Sequence, residues 1–280
     1  MEQECQKTCL HDRHVALGAL MSPFAGFDMP IQYAGITEEH NAVRQHVGVF
    51  DVSHMGEVRV SGPDAYKFVS NAENILHGCL CLGTLYRHFS VIRTLILDSD
   101  IESLCVLKNP RNVLVYIGGV DFTRKVWDKL MKGGVQPCGL GCRDTLRFEV
   151  GLPLYGDELS ADITPIEASL SMFVKLDKPE FIGKEALAAQ KAEGVKRRIV
   201  GLELEGNAIP RHGYPVEVNG EQVGEITTGY RSISTGKSVA MAMINKPYDK
   251  LGTEVEVRIR KKTFPAKVVK KRFYDKNYKK

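Results

Sequence analysis

The sequence predicts an α+β protein built on antiparallel sheets, whose C-terminal third, from about Lys196 onward, is an antiparallel barrel or sandwich. Val216 and Val218, then Asn219-Gly220, then Val223 and Ile226 read as two strands joined by a tight turn. Strands bury every second residue, and Asn-Gly adopts the left-handed backbone that a two-residue hairpin requires. Val255, Val257 and Ile259 alternate with Glu256, Arg258 and Arg260, and residues 264–269 return as their partner strand. Helices are the third element. Residues 183–193 (GKEALAAQKAE) are rich in strong helix formers and closed by Gly194, and in 122–132 Phe122, Val126 and Leu130 recur every four residues until Gly133-Gly134 ends the pattern.

Ahead of these, residues 111–117 (RNVLVYI) have the β-branched, apolar character of a buried strand, whereas 71–100 hold neither period and place no element. Asp51, Ser53 and His54 lie within four residues and invite a hydrolase triad. Neighbours on an extended chain point to opposite faces, and no G-x-S-x-G elbow is present, so residues 51–56 read as a structural turn feeding a strand at 57–60. Residues 234–238 (STGKS) resemble the end of a phosphate-binding loop, but that loop needs glycine where Arg231 stands and a helix where 239–244 read as a strand. NTPase chemistry is excluded with it.

At 280 residues, with 43% hydrophobic and 26% charged residues, the chain is long enough for two or three compact units. No run approaches the roughly 20 apolar residues of a membrane span. Residues 1–13 have neither the apolar core of a signal peptide nor the arginines of a transit peptide, so a cytoplasmic location is expected. The 7 cysteines, spaced as in Cys5/Cys9, Cys79/Cys81 and Cys138/Cys142, form no C-x-x-C pair of the zinc type and read as reduced, mostly structural thiols, with metal binding the minority alternative and no metal ligand assigned. The net charge of +4 is unevenly placed, with 11 lysines and arginines from Arg258 to Lys280. Such an end suits an acidic partner or an anionic substrate tail, or forms a solvated strand face. No RNA-binding signature accompanies it, so no nucleic-acid partner is expected.

Two groups carry candidate chemistry. In residues 139–156 (GLGCRDTLRFEVGLPLYG), Leu140, Leu146 and Val150 fall on a core face at helical spacing, and Arg143, Asp144, Arg147 and Glu149 supply charge. An arginine there offers a planar, permanent charge to a carboxylate ligand. Taken alone, Arg143 with Asp144 and Arg147 with Glu149 read as an ion-paired helix face. Asp98 and Asp100 follow the apolar run 95–97 and suit a general base at a pocket mouth, or else a polar turn.

Five stretches, in order, resemble the T-protein family of the glycine cleavage system: residues 14–30 (HVALGALMSPFAGFDMP), 43–62 (VRQHVGVFDVSHMGEVRVSG), 139–156, 181–187 (FIGKEAL) and 209–238 (IPRHGYPVEVNGEQVGEITTGYRSISTGKS). The resemblance implies a cloverleaf of antiparallel sheets around a folate channel, with a truncated second domain and a C-terminal β-barrel. It divides the chain into a discontinuous first domain, 1–62 and 126–195, a shortened second domain, 63–125, and a barrel, 196–280. It further implies aminomethyl transfer from the dihydrolipoyl arm of the H-protein to tetrahydrofolate, with ammonia released and 5,10-methylenetetrahydrofolate formed.

Carried over by position, Arg143 in GLGCRD matches the family's ligand-touching arginine and Met55 in SHMG a residue lining the pterin pocket. Tyr278 falls near a C-terminal ligand contact. The family's catalytic aspartate sits in a GGIxDDL segment, for which this chain has TLILDSD at 94–100, making Asp98 and Asp100 the catalytic candidates. The asparagines of VVNAANIEKD and the whole TGYTGE segment, whose glutamate binds ligand, have no counterpart here. A noncatalytic relative that binds folate or a protein partner is therefore the rival reading, and another folate-dependent methyl or demethyl transferase is a third.

Overall fold

The computed structural model describes residues 5–55 and 120–275 in full and the backbone of 59–60, 95–96, 101–108 and 111–118. The candidates Asp98, Asp100 and Tyr278 lie outside the described residues. Contacts divide the described chain into two units whose boundary falls between Leu146 and Arg147.

The second unit contains the barrel. Strands β10 (Arg197–Leu204), β11 (Pro215–Val218), β12 (Glu221–Arg231), β13 (Ser238–Asn245), β14 (Glu254–Ile259) and β15 (Lys262–Val269) close in the order β10-β13-β12-β11-β14-β15. Closure decides the open choice in favour of a barrel, and it leaves no unpaired strand edge. The expected turn joins β11 to β12, with φ of 53° at Asn219 and 81° at Gly220, as a type I′ turn requires. Leu202, Val216, Ile226, Ala240, Ala242, Ile244 and Val257 fill the interior. β13 is buried on both faces, because Val239, Met241 and Met243 pack outside the barrel against Phe148 and Ile199. That double burial explains why SVAMAMI is apolar throughout rather than alternating. Residues 232–237 are the hairpin between β12 and β13, and the STGKS stretch therefore opens into a strand.

Within the same unit, Glu158 is fully buried and satisfied. It accepts bonds from Arg147 Nη1 (2.8 Å), Thr227 Oγ1 (2.7 Å), Thr228 Oγ1 (2.6 Å) and the Leu154 N–H (2.9 Å). Glu149 accepts from Ser232 Oγ at 2.7 Å and from the N–H and Oγ of Ser234 at 2.8 and 2.6 Å. Glu158 thus anchors β12 itself, and Glu149 the hairpin that follows it. The intrahelical pairing expected for Arg147 and Glu149 is corrected accordingly: each reaches a partner far along the chain, since desolvated charges require several bonds that a helix neighbour cannot supply.

The first unit has two sheets. β1 (Gln6–Lys7), β2 (Leu20–Phe24) and β3 (Phe27–Gln32) pair in the order β1-β3-β2, and β4 (Val47–Asp51), β7 (Ile101–Lys108), β8 (Arg111–Gly118) and β9 (Gln136–Pro137) in the order β8-β7-β4-β9. β5 (Arg59–Val60) and β6 (Leu95–Ile96) form a separate short pair. β8 is the strand expected at 111–117. Helix α3 (Val120–Lys132) covers the expected 122–132, and Val126 and Leu130 of the expected stripe pack on the core with the buried Trp127 and Thr123, whereas Phe122 is 59% exposed.

Helices α1 (His11–Ala16) and α2 (Ile36–Gln45) carry no apolar stripe that a sequence reading detects, because they bury His11 and His14, and Glu39, His40 and Val43. Helix α4 (Leu140–Glu149) is the expected helix of the GLGCRD stretch. Its start abuts the end of β3: a Cβ on Gly139 would lie 2.2 Å from the Ile31 carbonyl. Gly139→Ala is therefore expected to destabilise the chain by about 3 kcal/mol, measured by urea denaturation, since backbone rather than a mobile side chain would have to move.

Candidate functional site

The site grows from the end of β4. Asp51, 2% exposed, uses both carboxylate oxygens. Oδ2 accepts from Thr8 Oγ1 at 2.7 Å and lies 2.9 Å from His14 Nε2. Oδ1 accepts from the Ser53 N–H at 2.9 Å and from Ser53 Oγ at 2.6 Å. His14, wholly buried, bridges to the Tyr33 hydroxyl at 2.8 Å. Burial alone would raise the Asp51 carboxyl, but the interaction with His14 and the bonds from Ser53 outweigh it and hold it below the ordinary carboxylate range. Burial, with the charges of Asp51 and Glu39, raises the Tyr33 phenol and keeps its proton in place.

The bonds from Asp51 to Ser53 form an Asx-type turn, which bends the chain out of β4 into a single 3-10 turn, Ser53–Met55. The Asp51/Ser53/His54 segment is thus the structural turn its spacing predicted, and the imidazole bonded to Asp51 is His14, from 37 residues away. The turn presents Met55, 40% exposed, to α4, where the Arg143 guanidinium donates to Met55 Sδ at 3.3 Å. A thioether is a weak acceptor, and a carboxylate is a stronger partner for a guanidinium.

His54, the residue before Met55, packs edge-on against Phe24 with centroids 5.3 Å apart. Its Nδ1 is buried and has no hydrogen-bond partner among the described residues. Burial first, then the charge of Arg143, pushes its pKa down to about 4 against the opposing pull of Asp51. The sign of the pH effect follows. Between the ordinary 6.5 and about 4 the unfolded chain holds a proton that the folded chain refuses, so stability falls as pH drops through that window. The ring is partly solvated, which discounts the loss to about 1–2 kcal/mol. His54→Gln is expected to remove that component, narrowing the difference in urea midpoint between pH 7 and pH 4.5. An unchanged difference would mean that His54 does not titrate as its surroundings dictate.

Glu39 ties α2 to the approach of α4. Its Oε1 accepts from the N–H groups of Tyr33 and, at 3.3 Å, Gly35, and its Oε2 accepts from the Gly139 N–H at 2.8 Å. A second tie runs from His40 Nδ1 to Thr145 Oγ1 at 2.9 Å. Sequence periodicity could not find this scaffolding, because its members are polar residues on buried helix faces.

A family model for the GCVT N-terminal domain matches residues 10–74 and 118–178, and one for the glycine cleavage T-protein C-terminal barrel domain matches 197–275. The chain belongs to the glycine cleavage T-protein family. Proteins named aminomethyltransferase are 35% identical to this T-protein family member in Caldanaerobacter subterraneus subsp. tengcongensis, over 98% of the chain and 97% of that protein, and 35% identical in Alkaliphilus oremlandii, over 99% and 100%. The crystal structure of glycine cleavage system aminomethyltransferase T from Bartonella henselae superposes with a TM-score of 0.84 at 24% identity, covering 99% of this chain and all of that one, which establishes the fold. Family membership supports aminomethyl transfer as the general function. The alignment to the Caldanaerobacter protein runs over 364 positions against 280 residues here, so that relative carries residues for which this chain has none. Of the candidate residues, the structure brings Met55 and Arg143 together although 88 positions separate them. Among the described residues, no helix is long and apolar enough to cross a membrane.

Proposed function

We propose that this chain is a tetrahydrofolate-dependent aminomethyltransferase of the glycine cleavage system, which moves the one-carbon unit from the aminomethyl-dihydrolipoyl H-protein to tetrahydrofolate with release of ammonia in the cytoplasm. The observation that carries this reading is the contact between Met55 and Arg143, two positions that the family resemblance assigns separately to ligand binding. The residues present suit a folate. Arg143 offers charge-assisted donors to a carboxylate, the exposed Met55 side chain offers a polarisable apolar surface to a flat ring, and the edge-packed Phe24 and His54 extend that surface. Tetrahydrofolate, when bound, supplies the nitrogen nucleophiles that accept the carbon. The protein's part is to hold two large reactants in register, with Asp98 or Asp100 handling a proton near those nitrogens and Tyr278 contributing a ligand contact.

Calorimetric titration with tetrahydrofolate tests the reading. Wild type is expected to bind at micromolar or tighter affinity, and Arg143→Ala roughly 10–100-fold more weakly, as loss of a hydrogen bond to a charged group implies. No binding by a folded wild type would overturn the enzyme reading. It would favour the second reading, a noncatalytic relative that binds a protein partner, for which the missing TGYTGE-type segment is the motivating observation.

Docking of an acidic, lipoylated carrier supplies another expected result. Lys271 donates to the Ala168 carbonyl at 3.0 Å, whereas Lys270 and Arg272 project from the exposed end of β15. Charge reversal at Lys270 and Arg272 is expected to weaken carrier binding several-fold and to flatten its salt dependence. Unchanged affinity and salt slope would place the carrier elsewhere.

A further inference from the structure

Cys138 and Cys142, read from the sequence as structural thiols, meet a buried carboxylate. The Sγ atoms of Cys138 and Cys142 and a carboxylate oxygen of Glu39 all lie within 4.8 Å of one another, and the three residues are 1%, 0% and 0% exposed. We propose that these three side chains form a binding site for a thiophilic divalent ion of the zinc type.

The donor set argues for that class of ion. Two thiolates and one oxygen are soft enough to exclude magnesium and calcium, which take oxygen shells, and match the sulfur-rich sets that select zinc. The carboxylate is held in place before any ion arrives. Oε1 carries the Tyr33 and Gly35 N–H bonds, while among the described residues Oε2 carries the one from Gly139, which leaves a lone pair for an ion. Fixing a ligand from behind in this way is what the outer shell of a metal site does. Gly139 lies between Cys138, in the connection from β9, and Cys142, in the first turn of α4, so the same hydrogen bond ties the carboxylate to the segment that carries both sulfurs.

The Cys138 thiol donates to the Gln136 carbonyl at 3.5 Å and to that of Glu39 at 3.9 Å, and the fourth position of a tetrahedral shell would fall to a backbone oxygen or to water. Charge is close to balance. Two thiolates and a carboxylate give minus three, the ion returns two, and Arg44 acts electrostatically on Cys142 as a nearby cation. A thiol must give up its proton to bind such an ion. Loading therefore forms two metal–sulfur bonds and breaks two S–H bonds, sending two protons to solvent. The site lies away from the Met55/Arg143 contact in role: it would brace α2 against α4 and does not depend on the transferase reading.

The test uses the full chain, purified with chelator and reductant, and titrated with cobalt(II) and then zinc(II). One equivalent of cobalt(II) is expected to produce thiolate charge-transfer absorption in the near ultraviolet and visible bands of a four-coordinate centre, which zinc(II) abolishes. Calorimetry of zinc(II) in buffers of different ionisation enthalpy is expected to report two protons released. Cys142→Ser, chosen to keep the core volume, is expected to bind at least tenfold more weakly while its circular dichroism stays that of wild type, and Glu39→Gln is expected to weaken binding less. No absorption from a folded wild type at a hundred micromolar cobalt(II) would overturn the proposal. Binding of equal strength in Cys142→Ser would also overturn it, since other thiols would then be holding the ion. Should Cys142→Ser unfold, the proton count on wild type decides by itself: fewer than two protons means that the two thiols are not both ligands.

Discussion

Replacing Glu158 by alanine is expected to lower stability by about 3–5 kcal/mol, the cost of leaving a desolvated charge without its partner. The carboxylate is 0% exposed and collects four donors from three parts of the chain, and the Arg147 side chain that it neutralises is 10% exposed. Once the carboxylate is gone, Asp157 stands 3.6 Å from the Arg147 guanidinium, outside good hydrogen-bond range. Thr227 and Thr228 lose their shared acceptor at the middle of β12. Urea denaturation followed by far-ultraviolet circular dichroism reads the loss. A change under about 1 kcal/mol would show that water enters and takes over the carboxylate's role. Glu158→Gln, which keeps the volume and one acceptor oxygen, is expected to fall between the two.

Asp51→Asn is expected to cost about 3 kcal/mol and to change the pH dependence of what remains. An amide has one oxygen for four donors, so whichever way it turns, an N–H faces either Thr8 and His14 or the two groups of Ser53. The native carboxyl is held below its ordinary value of 3.8. A depressed carboxyl contributes stability that is present above the unfolded value and is lost as pH falls through the folded one. Wild type and Asp51→Asn should therefore converge as pH falls below about 4, and stand furthest apart near neutrality. A gap that stays constant from pH 7 to pH 3 would mean that the bonds depend on shape and not on the charge of Asp51. Because the Ser53–Met55 turn hangs from this carboxylate, the same variant is expected to weaken tetrahydrofolate binding under the proposed reading.

Local pattern was enough to place antiparallel strands in the C-terminal third and three helices, while closure into a barrel came from the fold. Val216/Val218 against Val223/Ile226 and Val255/Val257/Ile259 are period-two runs, and Asn219-Gly220 names its own turn, so β11, β12 and β14 are legible one by one. Helix α5 (Lys184–Glu193) is bounded by glycines at positive φ, Gly183 at 83° and Gly194 at 81°, and propensity alone locates it. Motif order across the chain carried the family. Each of these signals resides in residues that are neighbours in sequence.

What the sequence by itself determined, then, is the set of elements that bury apolar side chains with a regular period, and the lineage of the chain. Tertiary structure decided the rest. Only the fold reveals that α1 and α2 bury histidines and a glutamate rather than leucines, that the imidazole on Asp51 is His14 rather than the adjacent His54, and that Arg147 answers Glu158. It likewise gathers Glu39 with Cys138 and Cys142 and sets Met55 against Arg143. The physical reason is common to all of them. A buried polar group is stable only with partners that satisfy it, and those partners come from wherever the chain returns in space, a distance in sequence that no local period encodes.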